Sequence, residues 1–147
     1  MDLRSRLLIK KVPYAHEAGT RLLDRMNQMY YRRENQRLHY TERIQALRGA
    51  YDGERCFIVG NGPSLIPEDL DLIRDEISFA SNLIFKYFSD TSWRPTYYFT
   101  QDVYDLRLRD YIESLSGTQA FVGAYFLRKH KIKNTEAIGY LGRKSTK

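Results

Sequence analysis

Gly60-Asn61-Gly62-Pro63-Ser64 carries the clearest chemical signal in the chain. An apolar run, Cys56 to Val59, enters it, and Pro67-Glu68-Asp69-Leu70 follows as a helix start. Two glycines let the backbone turn sharply and leave room for a ligand beside the main chain. Pro63 fixes its own φ and keeps Gly62 out of the helical region. Ser64 is placed to cap the helical segment that follows. A strand, a glycine turn and a helix start in succession suit phosphate or another anion, because free N–H groups converge there. The same geometry also serves as a plain strand-to-helix turn.

Two further polar positions follow short apolar runs. Ser81-Asn82 ends the run Ile77 to Ala80, and Gln101-Asp102 ends the run Thr96 to Thr100. In an open parallel sheet, ligands bind outside the carboxyl ends of the strands. Small hydroxyl and amide side chains at those ends both donate and accept hydrogen bonds. That suits the base, ribose and phosphates of a nucleotide. Asn82 and Asp102 could equally be helix caps. The dinucleotide fingerprint is excluded, since Leu65 stands where its third glycine belongs, and no Gly-Lys-Ser/Thr completes a P-loop. A hydrolytic metal site would want a histidine and carboxylate cluster, which these ends lack.

These positions must be held by alternating strands and helices. Four strands are expected at Cys56–Val59, Ile77–Ala80, Thr96–Thr100 and Ala120–Gly123, with a further one within Glu136–Leu141. The first reads as a fully buried central strand, with Cys56 as a packed, inert thiol. Helical segments are expected within Leu65–Arg74, over Asn82–Phe88, and from Val103 to about Leu115 behind an Asp102 cap. Trp93 and Arg94 sit in a loop and are expected to pin it to the domain, with stacking on a nucleotide base as the alternative. The alternation predicts an α/β, Rossmann-like open parallel sheet over residues 51–147 with right-handed crossovers.

Residues 1–50 read differently. Met1 to Val12 is a short basic segment that Pro13 should stop. Ala15 to Arg48 reads as one helix or two in succession, with Leu22, Leu23, Met26, Met29, Tyr30, Arg33, Leu38, Ile44 and Leu47 near helical spacing, though the polar stretch Arg32 to Arg37 weakens the stripe. The charge is lopsided: residues 1–50 hold 11 Lys/Arg and 5 Asp/Glu, which is the whole net charge of +6. A basic amphipathic helix can lie on an anionic membrane, form a coiled coil with a protein partner, or pack on its own domain. No RNA-binding motif accompanies its arginines and tyrosines, so nucleic acid is not an expected partner. The whole chain of 147 residues bounds about one domain. It has no apolar run of membrane-spanning length and no signal-peptide pattern, so the expected location is cytoplasmic, with room for a peripheral position at the inner membrane face. A single cysteine excludes an internal disulfide.

Roughly over residues 53–125, the words Gly60-Asn61-Gly62-Pro63-Ser64-Leu65, Ile77-Ser78-Phe79-Ala80-Ser81-Asn82 and Pro95-Thr96-Tyr97-Tyr98-Phe99-Thr100-Gln101-Asp102 resemble two related groups. These are the bacterial lipooligosaccharide sialyltransferases and the MptE-like (6-hydroxymethylpterin pyrophosphokinase-like) domains of surface-polysaccharide and flagellin-glycosylation loci. The first resemblance implies that Asn61 and the Gly60–Ser64 backbone line a nucleotide-sugar pocket, a CMP-sugar by preference. Asn82 matches the asparagine after the second strand. Gln101 falls near a third polar position, where the family has another residue type. No cofactor is then required. The second resemblance implies ATP, a pterin and Mg²⁺, with Asp102 as a candidate oxygen ligand.

The sialyltransferases carry a histidine base and phosphate-contacting tyrosines in a second half that has no counterpart here. His130 sits in Arg128-Lys129-His130-Lys131, which matches no catalytic motif, and His16 and His39 belong to the basic helices. The expectation is a truncated glycosyltransferase-like domain of surface-glycan or polysaccharide biosynthesis, binding a nucleotide but incomplete for turnover. Missing general-base catalysis alone costs about 10²–10⁴ in rate. The alternatives are a Mg²⁺-dependent pyrophosphokinase domain, or a non-enzymatic domain that docks through its basic helix.

Overall fold

The computed structural model describes residues 3–101 and 106–141. Five parallel strands form one open sheet: β1 (Cys56–Val59), β2 (Ile77–Ser81), β3 (Tyr97–Thr100), β4 (Gln119–Gly123) and β5 (Ile138–Tyr140). Their spatial order is the sequence order, β1-β2-β3-β4-β5. Between them run α3 (Pro67–Leu70) with a 3-10 turn at Asp71–Ile73, a 3-10 stretch at Asn82–Tyr87, α4 (Leu106–Ser114) and α5 (Ala124–His130). This is a Rossmann-like α/β sheet, preceded by α1 (Leu3–Leu38) and α2 (Tyr40–Gln45).

The strand order decides where the layers lie. Parallel strands joined in sequence by right-handed crossovers put every crossover on the same face. Successive side chains of a strand alternate between faces, and two separate cores result. On the crossover face, Ala80, Tyr98, Ala120 and Val122 pack with Leu70, Ile84, Leu108, Ile112, Phe126 and Leu127. Trp93 closes this core and is fully buried. Its loop is held by Asp71, whose Oδ1 accepts from Thr91 Oγ1 at 2.9 Å, Ser92 Oγ at 2.7 Å and Trp93 N at 3.2 Å. Arg94 stacks on Phe88 at 4.3 Å and donates to the carbonyls of Thr91 and Trp93. On the opposite face, Ile77, Phe79, Tyr97, Phe99, Phe121 and Ile138 meet Tyr31, Leu38, Tyr40 and Leu47 from the first two helices.

The basic helices therefore pack on the sheet. Tyr30 joins the crossover core and Tyr31 the opposite one, so α1 straddles the β5 edge. Arg128 Nε donates to Asn27 Oδ1 at 2.9 Å, and Arg43 of α2 donates to the Thr135 carbonyl at 2.9 Å. The helix breaks at His39, which takes a left-handed φ of 54°. Asn35 makes the joint, its Oδ1 accepting from Thr41 N at 2.8 Å and from Thr41 Oγ1 at 3.1 Å. That supplies the N-terminal cap that His39 does not.

Four expectations are corrected. Cys56–Val59 is an edge strand, not a buried central one: Cys56 is exposed, and Ile58 is 84% exposed. A short apolar run reports that a segment is a strand but not its neighbours. Pro13 does not stop the first helix, which runs from Leu3 to Leu38; a proline removes one rung of the ladder, and the rungs on either side carry the helix through. Ser64 is not a cap, because α3 starts after Ile66 with Pro67 at its first position, where the missing N–H costs nothing. A fifth helix, Ala124–His130, directly follows β4 where no helix was expected.

Candidate functional site

In-register parallel pairing aligns the carboxyl ends of β1, β2 and β3 along one rim. Val59 pairs with Ala80, and Ser81 with Phe99. Three adjacent strands span about 10 Å, so the three polar ends lie within the reach of one nucleotide moiety. The ends are also tied together. Asn61 Nδ2 donates to the Ser81 carbonyl at 2.9 Å, fastening the Gly60–Ser64 loop to the end of β2. The loop closes on itself where Leu65 N donates to the Gly62 carbonyl at 3.1 Å.

Gly60, Asn61, Gly62, Pro63 and Ser64 are all exposed. A Cβ built on Gly60 would meet nothing within 4 Å, and one on Gly62 would meet only Ser64 Oγ at 3.8 Å. Neither glycine has positive φ. Their contribution here is open main chain, not an unusual turn. A ligand can approach this backbone as closely as van der Waals contact allows.

Asn82 is the unusual backbone of the rim. It follows β2 with φ 53°. A left-handed conformation is costly for most side chains and easiest for Asn among non-glycine residues. Its carbonyl accepts a hydrogen bond from the Tyr98 hydroxyl, which reaches it from inside the crossover core. Burial pushes the Tyr98 phenol well above its ordinary pKa, so it stays a donor. The Asn82 side chain is exposed on the rim. Asn82 opens the 3-10 stretch as its first residue, with Ser81 in the cap position.

Gln101 is exposed at the end of β3. Gly123, at the end of β4, passes so close that a Cβ there would fall 2.7 Å from the Gln101 carbonyl oxygen. Tyr140 reaches over from β5 and donates to the Thr100 carbonyl at 3.2 Å. Tyr98, Gly123 and Tyr140 thus position the rim, and sequence reasoning passed over all three. Gly123 offered a signal, a glycine at a strand end. Tyr98 and Tyr140 offered none, because an aromatic in a strand reads as core. Asp102 lies outside the described residues.

The described rim is neutral, made of amides, hydroxyls and backbone. Among the described residues no group of three or more His, Cys, Asp or Glu gathers to hold a metal ion. His39 stands exposed at the helix joint, where its backbone makes the turn. His130 ends α5, a helix that leaves the rim at Gly123 and runs back toward the amino edge. It packs on Phe126 at 4.3 Å, and burial together with Lys129 and Arg109 holds its pKa below the ordinary value.

A concave feature lies away from the rim. On the face opposite the crossovers, Phe79, Tyr97, Phe99, Phe121 and Tyr140 floor a cleft of about 560 Å³ beside Ile44, Leu47, Arg48 and Tyr51. Phe99 and Phe121 stack at 4.6 Å, and Phe79 stacks on Tyr97 at 5.0 Å, so the rings mainly face one another. The Tyr97 hydroxyl donates to Tyr51 at 3.1 Å, and burial with that partner pushes the Tyr97 pKa up to about 12.

Comparison with protein-family models, curated proteins and solved structures returns no match for this chain.

Proposed function

We propose that the rim formed by Gly60–Ser64, Asn82 and Gln101 binds a nucleotide or nucleotide-sugar, in a glycosyltransferase-like domain of surface-glycan or polysaccharide biosynthesis. The observation that carries this reading is the Asn61–Ser81 tether. It holds an open glycine loop against the neighbouring strand end, beside an asparagine whose strained backbone is braced from the core. Strain held by surrounding structure clusters at ligand sites. The loop supplies N–H groups for phosphate, while Asn82 and Gln101 supply amides for a base or ribose. With its neutral side chains, the described rim favours binding through hydrogen bonds over binding through ion pairs. Resemblance of the three sequence words to sialyltransferase donor sites favours a CMP-sugar. A domain of this kind would act from the cytoplasmic side, where nucleotide-sugars are made.

The test is thermal unfolding with CMP, CDP, UDP, GDP and ATP, each with and without Mg²⁺. A nucleotide at a hundred times its dissociation constant adds about 2.7 kcal/mol. Metal-independent stabilisation by CMP is expected, lost in Asn61→Ala and reduced in Asn82→Gly. The glycine variant keeps the left-handed backbone and removes only the side chain. Stabilisation by ATP with Mg²⁺ alone would replace this reading with a pyrophosphokinase one. No response to any nucleotide would overturn both.

A further inference from the structure

Alongside its contacts with the domain, α1 exposes a band of large apolar side chains. Leu22 is 61% exposed and Met29 is 71% exposed, with Leu23 and Met26 also open. At about 100° per residue, these four fall within roughly 120° of arc, the width of an amphipathic stripe. Tyr30 falls inside this arc beside Leu23 and packs on the domain, and Asn27 and Tyr31 lie beyond it on that same side, also facing the domain. Arg21, Arg25 and Arg32 lie along the other side. Asp24 falls across the helix from Leu22, on the half-buried side.

We propose that this face of α1 lies on an anionic lipid surface, with the stripe in the headgroup boundary and Arg25 and Arg32 on lipid phosphates. Charge selects this occupant. The chain's whole net charge of +6 resides in residues 1–50, and basic helices of this pattern are drawn to anionic leaflets. Arginine lets its aliphatic stem follow the stripe while its head stays at the polar layer. A second copy of α1 fits worse. Pairing would bring like-charged arginine ranks together, and the seam Leu22–Met26–Met29 would continue into Arg33. The helix lies on the surface and does not cross it, since no helix among the described residues is long and apolar enough to span.

The full chain is tested by co-sedimentation with vesicles of phosphatidylcholine alone and of phosphatidylcholine with phosphatidylglycerol. Binding to the anionic vesicles is expected, and it should weaken as salt shortens the screening length. Arg25→Gln with Arg32→Gln should lower partitioning by roughly fivefold for each charge removed. Leu22→Ser with Met29→Ser should abolish it while thermal unfolding stays unchanged. Failure of the wild type to bind anionic vesicles would overturn the proposal, as would equal binding to neutral vesicles or indifference to both double variants. A dimeric mass by light scattering that the Leu22/Met29 variant reduces to monomer would reassign the stripe to a second copy. None of these readouts depends on nucleotide binding.

Discussion

At the scale of single residues, the rim is held by groups set beneath its polar ends, Tyr98 and Gly123 among them. Tyr98 is buried with its hydroxyl on the Asn82 carbonyl. Tyr98→Phe keeps the ring and removes that donor. It should cost about 1 kcal/mol in urea unfolding and broaden the Asn82 amide resonance in NMR spectra. Gly123 is another. A Cβ 2.7 Å from the Gln101 carbonyl has backbone in front of it, which cannot swing aside as a side chain could. Gly123→Ala should therefore cost about 1–3 kcal/mol and shift the end of β3, read by urea unfolding and by the Gln101 amide resonance. Asp71 gives a pH signature. Hydrogen bonds from Ser92 and Thr91 hold its carboxyl below the ordinary range. A depressed carboxylate contributes stability that is complete above its unfolded pKa, near 4, and that disappears as pH falls through the lower folded value. Asp71→Asn should flatten the acid limb of a stability–pH profile below about pH 4 and leave its neutral limb with the same slope. An unchanged acid limb would contradict that assignment.

Among the elements, existence was far easier to read than placement. Each expected strand is present within a residue or two, because four or five apolar and β-branched residues between turn signals leave little else to form. Centre and edge were not legible. Cys56-Phe57-Ile58-Val59 has the composition of a buried parallel strand, yet among the described residues only β2 pairs with it. Strand order depends on crossover handedness and on which helices cover which face, and neither is written inside the strand. The same holds for α5. Ala124-Tyr125-Phe126-Leu127 continues the apolar run of β4 without a turn residue other than Gly123, so the change of period is hidden. The helix joint was legible in part. The polar stretch Arg32–Arg37 marked a weakening, but the role of Asn35 comes from a turn at His39 that no residue type demands. Asn35→Ala removes both bonds to Thr41 and should cost about 1 kcal/mol, measured by urea unfolding. For the rim, the three polar ends could be named from sequence, while the braces beneath them could not.

For the whole molecule, the two sheet edges are treated unequally. At β5 the edge is straddled by α1 and fastened by Arg43 and Arg128. β1 keeps its apolar edge open, with Phe57 and Ile58 exposed. The guarded edge joins residues near the start of the chain to residues near position 135, whereas every sheet pairing joins neighbours in sequence order. This has a consequence for synthesis. On the ribosome, β1 through β4 can add one to the next as they emerge. α1 and α2 emerge before the strand edge they cover, and their side chains that meet α5 and β5 stay uncovered until those elements follow. Chaperone demand should then fall on α1 and α2 and ease once β5, ending at Tyr140, clears the exit tunnel.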